Sequence, residues 1–283
     1  MEDVVSLEAG SATAQVALYG STVIAWRPKK STESLLFMSK KDVAGKPYRG
    51  GIPLVFPLFG AVSDHSDVPQ TLSKAPRHGF ARDRRWKTID FNGDRVTMSL
   101  TTQDYPELRD GYPFDFELHH SILLTETALE CTLKVKHLSS SQNDEMAFHA
   151  LFHNYLALPS QSTKVAGLQG RSYRDKLQGG KVLQESQDTC SYVEPKDSVY
   201  LGGAPTLRIG EAIELKRSET LPDTTLWNPG KEAGDGMSDL HNGGWKEFVC
   251  AEPGHVASFV HLAKGQEVCP PLCASRVLLL LGC

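Results

Sequence analysis

A two-residue hydrophobic period is the feature of this sequence that most restricts its fold. In residues 129–135 apolar side chains alternate with polar ones, and residues 96–100 repeat the pattern. Such alternation is expected of a strand with one buried face. Residues 121–124, 256–262 and 277–281 are predicted as more deeply buried strands. Because no stretch of 12 or more residues has one apolar helical face, the sequence predicts an all-β fold.

Glycine-rich turns separate the predicted strands at short intervals. Examples are the Asn-Gly-Asp run at 92–94, the Gly-Gly pair at 179–180 and the Asn-Gly-Gly run at 242–244, which favour chain reversal. Many short strands joined by such turns favour a large antiparallel β-sandwich. No repeat, low-complexity tract or linker divides the chain, so we expect a single domain over residues 1–283.

Charge and hydropathy argue against two classes of partner. The chain has 30 Lys+Arg against 34 Asp+Glu, a formal net charge of -4, without the basic runs that follow a nucleic-acid backbone. Its most apolar run, 277–281, is far shorter than the roughly 20 residues that cross a bilayer, and its acidic N-terminus does not resemble a secretory signal. We therefore expect a cytoplasmic protein that binds neither nucleic acid nor membrane.

The six cysteines are expected to be reduced thiols. They are scattered through a chain large enough to form its own core, and they form no CxxC pair. Cys269 and Cys273 flank two prolines, but two thiols alone are a poor indication of a metal site.

Two histidines, His149 and His153, lie four residues apart in MAFHALFHNYLALP. On a helix this spacing would present both imidazoles to one metal. Helix is not favoured, because the run is rich in aromatic residues and Pro159 ends it. As a strand, the run places both histidines and Tyr155 on one face. From these residues alone, a functional pair and two ordinary hydrogen-bonded histidines both stay open.

Glu252, in VCAEPGHV, is a candidate general base. Pro253 favours an extended backbone at Glu252, and apolar neighbours precede it. A carboxyl group in apolar surroundings has a raised pKa, which suits proton transfer near neutral pH. A glutamate at a surface turn is the alternative.

A cluster of arginines is the third feature with chemical potential. The segment APRHGFARDRRW contains His78 and four arginines, and Arg49 lies upstream in YRGGIPLVFPLFG. Clustered guanidinium groups match the geometry of phosphate oxygens. Solvated surface charge is the alternative, which we favour for Arg84 and Arg85.

Five segments stand in a characteristic order: RGGIPLVFPLFG from Arg49, RHGFAR from Arg77, LFHNYLAL from Leu151, LPDTTLWNP from Leu221 and CAEPGHV from Cys250. They resemble the glucose-6-phosphate 1-epimerases, hexose-6-phosphate mutarotases of the aldose 1-epimerase superfamily. The resemblance implies a galactose mutarotase-like β-sandwich that interconverts the α and β anomers of a hexose 6-phosphate. It also implies that no metal or organic cofactor takes part, and we expect a monomer.

The resemblance assigns roles to six residues. The catalytic positions fall on His153 and Glu252, the positions facing the ring oxygen and sugar hydroxyls on His78 and Asp175, and the phosphate positions on Arg49 and Arg82.

Departures from the family pattern leave the preferred hexose open. They occur at Asn154, Leu156 and Gly230, none of which is a predicted acid, base or phosphate ligand. Two other functions also stay open: a mutarotase for free sugars, which would not use the arginine pair, and a non-catalytic carbohydrate-binding protein.

Overall fold

The computed structural model describes residues 3–41, 43 and 45–268, and the backbone alone of residues 273–279. Cys269, Cys283 and residues 280–281 of the predicted last strand lie outside the described residues, as does the side chain of Cys273. The hypothesis of a metal at Cys269 and Cys273 therefore stays a sequence-based one.

Strands form most of the regular structure. In chain order the described strands are β1 (Val4–Ala9), β2 (Ala12–Ala17), β3 (Thr22–Arg27), β4 (Leu54–Val55), β5 (Lys87–Phe91), β6 (Arg95–Thr101), β7 (Phe116–Leu124), β8 (Ala128–His137), β9 (Glu145–Phe152), β10 (Tyr155–Leu156), β11 (Lys164–Ala166), β12 (Ser172–Asp175), β13 (Lys181–Gln184), β14 (Thr189–Ser191), β15 (Lys196–Tyr200), β16 (Thr206–Ile209), β17 (Ile213–Arg217), β18 (Asp223–Asn228), β19 (Val249–Ala263) and β20 (Cys273–Leu279).

Helical structure is scarce in the described chain. The α-helix α1 spans Gly230–Gly236, and short 3₁₀ turns cover Val62–Asp64, Gln70–Leu72, Ala81–Asp83, Pro106–Asp110, Lys176–Gln178 and Gly244–Lys246. No helix among the described residues is long and apolar enough to cross a membrane. The all-β fold predicted from the two-residue period is confirmed.

The strands pair into three antiparallel sheets. One sheet has the order β1-β2-β3, a second runs β13-β12-β15-β18-β19-β9-β4 with β10 on β19, and a third runs β14-β11-β16-β17-β20-β8-β7-β6-β5. The clearest sequence pattern, residues 129–135, lies in β8, where buried and half-buried side chains alternate. Residues 96–100, 121–124 and 256–262 fall in β6, β7 and β19.

Apolar side chains from all three sheets pack into one core. Phe56 links the layers because its ring lies 5.2 Å from Phe148 of β9 and 5.7 Å from Phe116 of β7. Each such buried aromatic ring stabilises the fold by about 1.5–3 kcal/mol relative to exposure. The core therefore fixes the second sheet, which carries the candidate site, against the third.

A tight backbone contact fixes the turn that carries His78. Both His78 and Gly79 have positive φ, 63° and 71°, and the amide of Phe80 donates to the carbonyl oxygen of Phe56 at 2.9 Å. A Cβ atom on Gly79 would lie 1.9 Å from that same oxygen. Only glycine fits here, because it lacks a Cβ and adopts positive φ without strain.

We expect Gly79→Ala to destabilise the protein more than Gly170→Ala. Gly170 has φ 77° but no atom within 4 Å of a built Cβ, so its variant measures only the left-handed backbone cost of about 1–2 kcal/mol. Gly79→Ala adds the clash with Phe56. Urea unfolding of both variants measures the difference, and equal losses would contradict the close approach.

Candidate active site

The structure brings His153 and Glu252 together. Glu252 lies on β19 opposite Thr225 of β18, and His153 follows the last residue of β9, with its amide donating to the Pro53 carbonyl at 3.0 Å. The Nδ1 atom of His153 lies 3.4 Å from Oε1 of Glu252. Both side chains are buried, so this pair of titratable groups is shielded from bulk water.

An open cavity of about 160 Å³ lies over this pair. Five of the six residues predicted for the site line it. The lining consists of Arg49, Phe59, Arg77, His78, Arg82, His153, Lys176, Asp197, Thr225, Trp227, Met237 and Glu252.

Asp175 is the predicted site residue that the structure leaves outside this cavity. Its carboxylate accepts hydrogen bonds from the amide of Leu177 at 3.0 Å and from Nε2 of Gln178 at 2.7 Å. These bonds commit it to the turn that follows β12. The next residue, Lys176, lines the cavity instead, and it begins the 3₁₀ turn Lys176–Gln178 that follows the strand.

Asp197 is a cavity carboxyl that the sequence analysis missed. It lies on β15 opposite Trp227 of β18, and burial foremost raises its pKa. A row of cross-strand neighbours runs from Asp197 through Trp227 and Cys250 to Tyr155. Only the strand register creates this row, and no local sequence motif signals it.

Burial reverses the ionisation usually expected of a carboxyl group beside an imidazole. Burial foremost raises the pKa of Glu252 well above its ordinary value. Burial, followed by the positive charges of Arg49 and Arg82, lowers the pKa of His153 well below its ordinary value. These shifts favour a protonated Glu252 carboxyl beside a neutral His153 imidazole.

Aromatic packing fixes the orientation of His153. Its ring stacks on Tyr155 with the centroids 4.6 Å apart, and Trp227 meets it edge-on at 5.7 Å. The hydroxyl of Tyr155 accepts a hydrogen bond from Nη1 of Arg49 at 2.9 Å. The imidazole is thereby held in one rotamer beside Glu252.

His78 offers a second imidazole to the cavity. Its Nδ1 accepts a hydrogen bond from the amide of Gly60 at 3.3 Å, so the neutral ring carries its proton on Nε2. Burial and then Arg82 lower its pKa well below the ordinary value, which keeps the ring neutral. Its ring centroid lies 6.0 Å from that of His153.

Four cationic side chains line the cavity, and carboxylates partner three of them. Arg49 donates to Asp239 at 2.9 Å, and Asp64 lies 3.2 Å from Lys176 and 4.0 Å from Arg77. For the fourth, Arg82, the described residues form no ion pair.

The Arg82 guanidinium also has an unsatisfied hydrogen-bond donor. Its Nη2 donates to a backbone carbonyl, that of Arg77, at 3.0 Å, and its buried Nε has no hydrogen-bond partner in the described chain. The cavity thus holds a guanidinium without a matching anion.

The histidines at 149 and 153 do not act together. β9 ends at Phe152, so the predicted strand face that would join them is interrupted. His149 stacks on Phe259 at 4.0 Å and lies beside His65 in a different depression, with its pKa lowered to about 3 foremost by burial. The prediction that one strand face carries both histidines is wrong.

Comparison with known proteins identifies the family. A profile described as Aldose 1-epimerase matches residues 3–269. The chain belongs to the aldose 1-epimerase family. A Cenchrus ciliaris protein named "Putative glucose-6-phosphate 1-epimerase" is 28% identical over 94% of this chain and 82% of its own. These findings confirm the resemblance that the five sequence segments indicated.

Solved structures of the family share the fold. A Salmonella typhimurium protein titled "putative mutarotase (YeaD)" matches with a TM-score of 0.80 at 22% identity, over 98% of this chain and 90% of that one. A galactose mutarotase-like protein from Lactobacillus casei matches with a TM-score of 0.74 at 16% identity, over 98% and 99%. The predicted galactose mutarotase-like fold is confirmed.

We expect Glu252→Gln to stabilise the protein increasingly as pH rises. The folded pKa of Glu252 is raised above the unfolded value of about 4.3, so between the two values only the folded state keeps the proton. Wild-type stability then falls by about 1.4 kcal/mol per pH unit in this window, and the glutamine variant escapes that loss. Urea unfolding at several pH values measures it.

Glu185→Gln is the matched control. Burial acts to raise the pKa of Glu185, but hydrogen bonds from the Gln187 amide and the Tyr200 hydroxyl lower it overall. Removing this carboxylate should therefore destabilise the protein increasingly with pH. Parallel pH profiles for the two variants would contradict the contrast.

Proposed function

We propose that this chain is a hexose-6-phosphate mutarotase that acts on glucose 6-phosphate and related esters, as a cytoplasmic, single-domain monomer without cofactor. The observation that carries the proposal is Arg82. Its guanidinium is half-buried, and its buried Nε has no hydrogen-bond partner among the described residues. Such a group without a carboxylate partner costs free energy, and a phosphate dianion bound in the same cavity would offset that cost. Arg49, Arg77 and Lys176 line the same cavity.

Proton transfer at two oxygens would open the sugar ring. The reactive form has His153 protonated and Glu252 ionised. Glu252 then takes the proton of the anomeric hydroxyl, and His153 gives its proton to the ring oxygen as the bond between that oxygen and C1 breaks. Rotation about the C1–C2 bond presents the other face of the aldehyde. The hydroxyl then attacks C1, and both proton transfers run in reverse. Atoms and charge balance without an oxidant or reductant.

Substrate phosphate would also adjust the charge of the catalytic pair. Burial, Arg49 and Arg82 favour a neutral His153, whereas the proposed reaction needs a protonated imidazole beside an ionised Glu252. A bound dianion offsets both guanidinium charges and so favours the imidazolium form. Phosphate binding would thus raise the rate of the chemical step as well as the affinity.

Two further cavity residues are suited to hold the sugar itself. His78 presents a proton on Nε2, and Asp197 supplies carboxyl oxygens on the far side of Trp227. Donor and acceptor together can orient hydroxyl groups around the ring. In this proposal Asp197 takes the hydroxyl-binding role that the sequence analysis assigned to Asp175.

His153→Ala and Glu252→Gln should each lower turnover by about 10²-fold or more, because each removes a proton-transfer partner. Anomer exchange of glucose 6-phosphate, followed by NMR, measures the loss. His149→Gln is the matched control, since His149 is a buried histidine in a different depression. Near wild-type exchange in either catalytic variant would overturn the roles, provided circular dichroism shows that both fold.

Arg82→Ala should weaken the interaction with glucose 6-phosphate by about 1.5–3 kcal/mol, which lowers kcat/KM roughly 10- to 150-fold. The kcat/KM for free glucose should change little. Arg82→Lys should fall between, because lysine keeps the charge but loses the fork of donors. Raised salt should weaken binding of the phosphate ester more than binding of free glucose. Arg49→Ala should act in the same direction, although Arg49 also holds Tyr155 and Asp239.

Arg95→Ala serves as the control, since Arg95 is exposed and pairs with Asp90 at 3.3 Å, away from the cavity. The measurement is kcat/KM for both sugars at two ionic strengths. Equal losses for ester and free sugar would mean that the arginines support the scaffold. A wild-type preference for free glucose would replace the proposal with a free-sugar mutarotase, and no exchange with either would indicate a non-catalytic carbohydrate-binding protein.

A further inference from the structure

A third donor atom lies beside the catalytic pair. The ligand atoms of His153, Glu252 and Cys250 all lie within 4.8 Å of one another, and all three residues are buried. Imidazole nitrogen, carboxylate oxygen and thiolate sulfur are the three donor types that bind Zn²⁺ in proteins. The proposed mutarotase mechanism uses two of these groups and leaves Cys250 without a role.

Strand geometry explains why the three donors converge. Cys250 and Glu252 are two residues apart on β19, so their side chains leave the same face. Cys250 lies opposite Tyr155 of β10, and the ring of Tyr155 stacks on that of His153. The set is therefore held by a paired strand and a stacked ring, neither of which is a surface loop.

The nitrogen and oxygen donors of this set have no hydrogen-bond partner among the described residues. His153 Nδ1 and both carboxyl oxygens of Glu252 are buried without a hydrogen bond to any described residue. The 3.4 Å between Nδ1 and Oε1 matches the distance of about 3.4 Å between two ligands on a tetrahedral zinc with bonds near 2.0–2.1 Å. Unpartnered buried polar atoms are uncommon in native proteins and point to a missing ligand.

Charge balance also permits a dication in a cavity that carries several guanidinium groups. Cys250 would bind as thiolate, Glu252 as carboxylate and His153 as neutral imidazole, and the thiol and carboxyl protons would pass to solvent. One dication and two anionic ligands sum to zero, so no net charge is buried.

We propose that His153, Glu252 and Cys250 form a Zn²⁺-binding site at the base of the cavity. Bound sugar would compete with Zn²⁺ for His153 and Glu252. Nitrogen, oxygen and sulfur each donate to the metal, and no electron is transferred. His153 and Glu252 line the cavity, so the fourth position is open to a water molecule from that side.

Zinc at this site would inhibit the proposed reaction. This inhibition rests on the proposed function, whereas the binding of Zn²⁺ to the three side chains does not. A metal-bound Nδ1 and carboxylate cannot exchange protons with the sugar. Inhibition should therefore be reversible by chelator and competitive with substrate. Mg²⁺ should not inhibit, because it prefers oxygen ligands in octahedral geometry.

The first measurement is metal binding to the full chain after chelator treatment and removal of the chelator. Isothermal titration should give one Zn²⁺ per chain, with affinity rising by about tenfold per pH unit for each proton released. Co²⁺ in place of Zn²⁺ should show thiolate-to-metal charge-transfer absorption. Cys250→Ser should lower the affinity for Zn²⁺ by more than about 100-fold and abolish the thiolate-to-Co²⁺ absorption.

Cys190→Ser is the matched control. Cys190 is also a buried thiol next to a carboxylate, 3.2 Å from Oε2 of Glu185, but it is not among the donors that converge at His153 and Glu252. Its variant should bind Zn²⁺ like wild type. Inhibition constants are compared with each variant's own metal-free rate, so any change in basal turnover does not affect the result.

The outcomes separate the two proposals. Unchanged zinc affinity in Cys250→Ser, or wild-type Co²⁺ spectra without a thiolate band, would overturn the zinc site, and the wild-type spectrum decides even if the serine variant does not fold. Stoichiometric binding through Cys250 with no sugar exchange by any variant would support the zinc site and refute the mutarotase.

Discussion

The pairing of β18 with β19 places an unpartnered carboxyl group inside the second sheet, and the rest of the site depends on that placement. β19 is flanked by β18 on one side and by β9 and β10 on the other, so its backbone polar groups are satisfied there. Glu252 receives no hydrogen bond from this frame. Its burial costs free energy that the aromatic core offsets, and the same burial raises its pKa well above the ordinary value.

Much of the fold could be predicted from the sequence, since the two-residue period in residues 129–135 and 96–100 reports burial directly. The raised pKa of Glu252 also followed from its apolar neighbours. Asp197 could not be predicted, because its position beside the cavity arises from register between β15 and β18. Asp175 is a similar case: the resemblance identified the segment, but hydrogen bonds hold the Asp175 carboxylate in the 3₁₀ turn that follows β12, and Lys176 of that turn lines the cavity. For His149 and His153, the deciding fact was where β9 ends.

Two opposing electrostatic features meet in one small cavity. At its rim the Arg82 guanidinium lacks an anion, which favours a phosphate ester. At its base, His153 Nδ1 and the Glu252 carboxyl oxygens have no hydrogen-bond partner among the described residues, which favours binding of Zn²⁺. Both arise because burial makes any unmatched group costly, so the site is poised between an anionic and a cationic ligand. Occupation by one changes the protonation that the other requires.

The carboxylate of Asp64 reaches two cations, Arg77 and Lys176, that come from segments about a hundred residues apart in sequence. Glu252 stands on β19 and His153 directly follows β9, whereas these cations stand on turns. A protein engineer could therefore redesign the entrance of the cavity from one anchoring position, moving two charges together. The contacts of His153 and Glu252 would stay intact, because none of their described hydrogen bonds or ring contacts passes through Asp64.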